Sequence, residues 1–242
     1  MKVEFNIDNW YSTLLMTPEY YRHLKEYVEN NDSKLLHLKS ITIISAHLNK
    51  INEDKSSEVS VYDYDKNESK KWVLDDIANA FFHYSNQILV LFSSYLELIL
   101  QEFFETFFYY QPEKMYNFIE SNTPNKIKGH IELNMILDSV SINELKVKLS
   151  KRATANANKG DILRIIKKIE ALCNCSFDER LKSNLRNLVE HRNQVVHEGK
   201  LFDINEMIVN RISENITSLL SFLGNILFDN NMPIVNDSGL IR

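Results

Sequence analysis

The chain is short of residues that break regular backbone: among 242 residues there are five Gly and four Pro. Sandwiches and barrels of short strands need many turn residues, so this scarcity excludes a turn-rich β architecture. Cysteine is equally sparse. Cys173 and Cys175 are the only two, and with one residue between them they form neither a disulfide framework nor a metal-ligand set. They read as packing groups of a reduced, cytoplasmic protein. No cationic start followed by an apolar run opens the chain, so a secretory signal is not expected. A phosphate-cradling glycine loop, a dinucleotide fingerprint and a nucleophile elbow are all missing. The histidines have no metal-ligand spacing, and neither a metal nor a cofactor is expected. The longest stretch without charge, residues 77–96, contains Asn79, His83, Ser85, Asn86, Gln87, Ser93 and Ser94. Hydrocarbon tolerates such groups poorly, which predicts a buried core helix and no membrane partner.

What is present is apolar patterning and an uneven charge. The net charge is −5, yet residues 146–200 carry 13 Lys and Arg against 6 Asp and Glu, a local +7 that leaves −12 elsewhere. A basic segment in an acidic chain is compatible with local phosphate binding.

Nearly every strong pattern is helical. Thr17-Pro18 predicts a cap and first helical residue for a helix over 19–30. Ser33 can cap a second helix to residue 50, although Ile41 to Ile44 also suit a strand. Residues 52–71 are polar and predict a loop, with Val59, Val61, Tyr62 and Tyr64 able to form a minor strand. Residues 72–110 lack Gly and Pro, are apolar around most of the circumference, and predict a central helix, single or kinked. Shorter helices are expected over 112–121 and 126–140. Capping-box spacing marks Ser141 with Glu144 and Ser176 with Glu179, and Asp203 with Glu206 resembles it. Residues 153–160 predict a loop, Asp161 a cap for a helix to residue 173, Gly199 the stop of a helix over 177–197, and 204–228 the last long helix. The expected fold is all-α: a bundle over 72–230, preceded by an N-terminal, mostly helical extension over 1–71 and followed by a tail over 231–242.

The helix over 177–197 carries the chemistry. At 100° per residue, Phe177, Leu181, Leu185, Leu188, Val195 and Val196 fall on one core-facing stripe. Arg186, Glu190, Asn193 and His197 lie on the opposite side. Arg192 falls inside the apolar stripe, where a guanidinium requires an acidic partner, a cleft or a second subunit. Near a helix C-terminus, protonation of His197 is favoured by the dipole and opposed by Arg192. An imidazole balanced in this way can exchange a proton near neutral pH. Arg192 can stabilise a phosphorane, and Asn193, one turn away, can orient the imidazole or donate to phosphate.

Leu188-Val-Glu-His-Arg192-Asn193-Gln-Val-Val-His197-Glu-Gly199 resembles the signature of the HEPN superfamily, an Arg followed after four to six residues by His, often with Asn directly after the Arg. The segment Leu91-Phe-Ser-Ser-Tyr-Leu-Glu-Leu-Ile-Leu-Gln-Glu-Phe103 resembles the early long helix of these domains. The resemblance covers residues 72–230. It implies an HEPN-like helical bundle, a homodimer with two motifs facing one shared cleft, and metal-independent RNA cleavage leaving a 2′,3′-cyclic phosphate and a 5′-hydroxyl. It also implies a role as a toxin or antiphage effector, with an antitoxin protein as a possible partner. One departure is Glu198, where many members have Gly; a carboxylate there can repel phosphate.

Supporting candidates are Glu97, which can pair with Arg192 from the long helix, and Glu190 and Arg186 beside the motif. His83 reads as a core or interface histidine, and His191 as solvent-facing. The aromatic run from Phe103 to Tyr110 reads as core or dimer surface. The alternative functions are a catalytically inactive HEPN-like module that dimerises and binds RNA or protein, and a purely structural helical protein in which Arg192 is a packing ion pair.

Overall fold

The computed structural model describes residues 3–30, 34, 66–120 and 128–241. The protein is all-α, with only two short strands among these residues. The order is β1 (Phe5–Asn6), α1 (Ile7–Glu29), α2 (Lys66–Tyr110), a 3-10 turn (Pro112–Asn117), α3 (Leu133–Leu137), α4 (Ile142–Ala157), α5 (Ile162–Cys173), α6 (Glu179–Glu198), α7 (Glu206–Asp229) and β2 (Ile234–Val235). The helix expected after Ser33 and the strand expected at 59–64 lie outside the described residues.

Helix α2 is one unbroken element of 45 residues. It begins at Lys66, so the last part of the predicted 52–71 loop is helical. Residues 71–110 are long enough for a membrane span and include an 18-residue window of mean hydropathy 1.3, but half of that window is buried inside the fold. Its inner face supplies Ile88, Leu89, Phe92, Leu96, Ile99 and Leu100 to the core, and Phe103, Phe104, Phe107 and Phe108 are all at most 1% exposed. Most of the aromatic run is therefore core. Against this face pack α4, α6, α1 and α7. The core is continuous: Phe5, Ile7, Leu14 and Tyr21 belong to the same buried cluster as the α2 and α7 residues, as do Met232 and Ile241 of the tail.

Helix α1 starts eleven residues before the predicted Pro18, at the Asn6 cap, whose side chain accepts the Asn9 N–H at 3.0 Å. Pro18 sits inside the helix. A mid-helix proline cannot bond the carbonyl four residues back, which here is that of Leu14. Ser213 of α7 donates its hydroxyl to this carbonyl at 2.6 Å, in a buried setting. The defect on α1 is thus satisfied by its neighbour, and this is why the proline does not end the helix. Close packing of α1 and α7 also depends on Gly224, where an added Cβ would lie 2.6 Å from Ile7 Cδ1.

The capping residues differ from expectation in two places. Asp178, rather than Ser176, caps α6 by accepting the Leu181 N–H at 2.9 Å, and Asn205, rather than Asp203, caps α7 through the Ile208 N–H at 3.1 Å. In both, the residue closest to the first turn supplies the oxygen. Ser141 caps α4 as predicted, and Glu144 returns a bond to the Val140 N–H. Asp161 caps α5 as predicted. Residues 153–157 are helical instead of a loop, because Ala153, Thr154 and Ala157 are a small-residue face buried in the core. Lys168 closes that helix, donating to the carbonyls of Asn156, Ala157 and Lys159.

Replacing Ser213 by Ala strands the Leu14 carbonyl in a buried site and should lower unfolding stability by about 1–3 kcal/mol. The double change Ser213→Ala with Pro18→Ala restores a backbone donor and should recover most of that loss in urea titrations. An unchanged midpoint in the single variant would refute the compensation.

Candidate active site

Helix α6 ends at Glu198, and Gly199 closes it in the left-handed conformation at φ 65°. A side chain is disfavoured there, so the glycine fixes where the helix stops and where its last turn points. His197 lies in that last turn and is exposed. The core stripe is narrower than predicted. Phe177, Leu185, Leu188 and Val195 are buried, Leu181 is half-buried, and Val196 is 49% exposed.

Arg192 lies partly inside that stripe, as its helical angle requires. Its Nε is buried and has no hydrogen-bond partner, while a terminal nitrogen donates to Asn193 Oδ1 at 2.9 Å. Asn193 therefore holds the guanidinium; among the described residues it makes no hydrogen bond to His197. The predicted pairing with Glu97 does not form. Glu97 is exposed on α2, and among the described residues no ion pair joins it to Arg192. Arg186 and Glu190 satisfy each other in an exposed ion pair at 2.6 Å, one turn apart on α6. The site thus has a guanidinium whose buried Nε lacks a partner and, on a different side of the same last turns of the helix, an exposed imidazole. A guanidinium can supply a fixed cation and an imidazole a proton acceptor.

Two residues that the sequence did not single out as site residues fix the connector after α6. Asn86 of α2, fully buried, accepts the Phe202 N–H at 2.8 Å and donates to the Phe202 carbonyl at 3.0 Å. The same amide nitrogen donates to the Phe82 carbonyl at 3.0 Å. Tyr21 Oη adds a buried bond to the Ile204 carbonyl at 2.9 Å. Thus held, the Phe202 ring contacts the His191 imidazole at 4.5 Å between centroids, and Lys200 Nζ lies 5.0 Å from its centre. Lys200 also reaches Gln194 Oε1 at 3.3 Å. His191 is exposed as expected, but it rests on a ring. The signal for Asn86 was present in the sequence, as a side chain with two hydrogen-bonding functions in an apolar stretch.

His83, expected in the core or at an interface, is exposed, with its ring edge against Phe82. Cys173 and Cys175 are free and half-buried. Burial pushes the Cys173 thiol up to about 12 and raises that of Cys175 as well. Both stay protonated at neutral pH and make poor nucleophiles. Among the described residues, no three His, Cys, Asp or Glu side chains gather as a metal-ligand set. Comparison with protein-family models, with curated proteins and with solved structures finds no match to this chain.

Loss of the Asn86 clamp should loosen the α6–α7 connector before it unfolds the protein. Asn86→Ala is expected to cost about 1–3 kcal/mol for the buried groups left unpaired, and to speed amide exchange at Phe202 more than in α4. Uniform acceleration across the chain would show that the clamp has no local role.

Proposed function

We propose that the protein is a metal-independent endoribonuclease of HEPN type, acting as a toxin or antiphage effector. The observation that carries this reading is the Arg192-Asn193-x-x-x-His197 string at the glycine-stopped end of α6, with an exposed imidazole at its end. The all-α fold is compatible with it, as is the basic charge of residues 146–200.

In this reading His197 removes the proton from a ribose 2′-hydroxyl. The 2′-oxygen attacks the adjacent phosphorus, and Arg192 stabilises the charge of the pentacoordinate phosphorane. The bond to the 5′-oxygen breaks, and that oxygen takes a proton from an imidazolium, leaving a 2′,3′-cyclic phosphate and a 5′-hydroxyl. Asn193 positions Arg192. Arg186 and Glu190 stand on the His197 side of the helix as a mutually neutralised pair. Two copies of the chain share one cleft, and an antitoxin protein restrains the activity. Glu97 plays no part in holding Arg192.

One observation favours a second reading, a non-catalytic module that dimerises and binds RNA or protein. Glu198 follows His197 directly, and a carboxylate at that position opposes an approaching phosphate.

The two readings separate in one experiment. Wild type and His197→Ala are expressed side by side, growth is followed, and RNA ends are mapped. His197→Ala should relieve growth inhibition and slow cleavage by about 10²–10⁴-fold, the usual contribution of a general base, with thermal melting unchanged. Toxicity and RNA ends identical in the two would rule out the catalytic role. Salt-dependent RNA binding with no cleavage by wild type would establish the module instead.

A further inference from the structure

Where the start of the chain meets α2 and α4, a cavity of about 140 Å³ opens. Its polar lining is Glu4, just ahead of β1, with Glu102, Glu105 and Thr106 of α2 and Ser150 and Lys151 of α4. Three carboxylates are thus set against one ammonium. Glu102 is already engaged on one side, accepting the Asn6 N–H at 2.6 Å and the Trp10 indole N–H at 2.7 Å. Burial chiefly, with the Glu105 charge adding to it, holds the Glu102 carboxyl above its usual range, while those two N–H groups pull it down.

A second feature is independent of the charge. Thr106 is 1% exposed, and among the described residues its hydroxyl has no hydrogen-bond partner. A helical threonine ordinarily donates to the carbonyl three or four residues back, and Thr13 and Thr17 of α1 both do so at 2.8 Å. Thr106 forgoes that bond and keeps a buried hydroxyl on the cavity wall, which is costly unless something in the cavity meets it. Ser150, equally buried, donates its own hydroxyl to the Val147 carbonyl at 2.9 Å, so its oxygen remains an acceptor.

We propose that this cavity binds the primary ammonium end of a small aliphatic amine, with Glu105 and Thr106 accepting its N–H groups and Glu102 adding negative charge.

The wall oxygens require donors and the carboxylates require a cation. An ammonium is both, with three N–H groups and no acceptor. A metal ion fits less well, because among the described residues no three His, Cys, Asp or Glu side chains gather to ligate one. A phosphate would be repelled by the same carboxylates. The volume is well below the roughly 300–1,000 Å³ of pockets for drug-sized ligands. It suits an ammonium with a few methylenes, which Val3 and Val147 on the lining can flank. No residue of α6 takes part, so the site stands apart from the nuclease reading. Its occupancy bears instead on the start of α1, since Glu102 holds both the Asn6 cap and Trp10.

Trp10 makes the site readable. The only other tryptophan, Trp72, is 66% exposed, and Trp72→Phe isolates the Trp10 signal. Putrescine titrated into this full-length variant at fixed ionic strength should shift Trp10 emission saturably and raise the melting temperature with concentration. Thr106→Val keeps the side-chain shape and should weaken putrescine binding about 5-fold, as for one neutral hydrogen bond, while melting no lower than its parent without amine. Glu105→Gln, at a partly exposed position, should weaken it by about 10–100-fold, as for a bond to a charged group. Tetramethylammonium, which has the charge but no N–H donor, should have no effect. The absence of a saturable response to putrescine, an equal response to tetramethylammonium, or a response to Mg²⁺ in its place would each overturn the proposal. So would putrescine affinity unchanged in both variants, whether or not the protein cleaves RNA.

Discussion

The buried face of α2 is the constraint on which the other helices depend. A helix of 45 residues is longer than any core it could be surrounded by, so its neighbours divide it. Helices α1, α4, α6 and α7 all pack against it, and the four phenylalanines near its C-terminal end fill the space where α4 approaches on small residues. Burial of this many aromatic and branched side chains is the dominant favourable term in such a fold. The position of the candidate site follows from the same element. Asn86, about one turn from Leu89 of the inner face, reaches across and fixes the backbone that follows α6. The end of α6 is therefore located by the central helix as well as by its own glycine.

A buried asparagine is an expensive way to attach a connector unless all its hydrogen-bonding groups are used. Here both ends of the amide meet backbone. Phe202 is consequently a fixed plate, with His191 against its ring and Lys200 nearby. This gives the last turn of α6 a rigid border and sets the path the chain takes from Gly199 into α7. Arg192, by contrast, has a buried Nε with no partner, and the two situations sit within a few residues of each other.

The fold class was legible in the sequence because helical periodicity and the shortage of Gly and Pro are local properties. The long central helix, the Asp161 cap and the Gly199 stop are of this kind, since each depends on residues within one or two turns. What was not legible depended on contacts distant in sequence. Pro18 reads as a helix start, and only Ser213, nearly two hundred residues later, makes it tolerable inside α1. The stretch 153–157 reads as a loop from its asparagines, and becomes helix because its alanines face α2. Capping residues shifted by two positions at α6 and α7, since several neighbouring oxygens compete for one set of N–H groups. At the site, the angle of Arg192 was readable and its surroundings were not. A carboxylate partner on α2 was a reasonable demand of electrostatics, but the side chain that meets the guanidinium is the neighbouring Asn193.

The short parallel ladder between Phe5–Asn6 and Ile234–Val235 has an energetic implication. It joins segments at opposite ends of the described chain, and nearby Asp8 accepts backbone N–H groups of Asp237 and Ser238, up to 230 positions away. Closing so long a loop costs more entropy than two residue pairs return. The ladder therefore depends on the docking of α1 against α7. Its integrity reports on whether the rest of the bundle is complete, like a latch that engages only on a closed box.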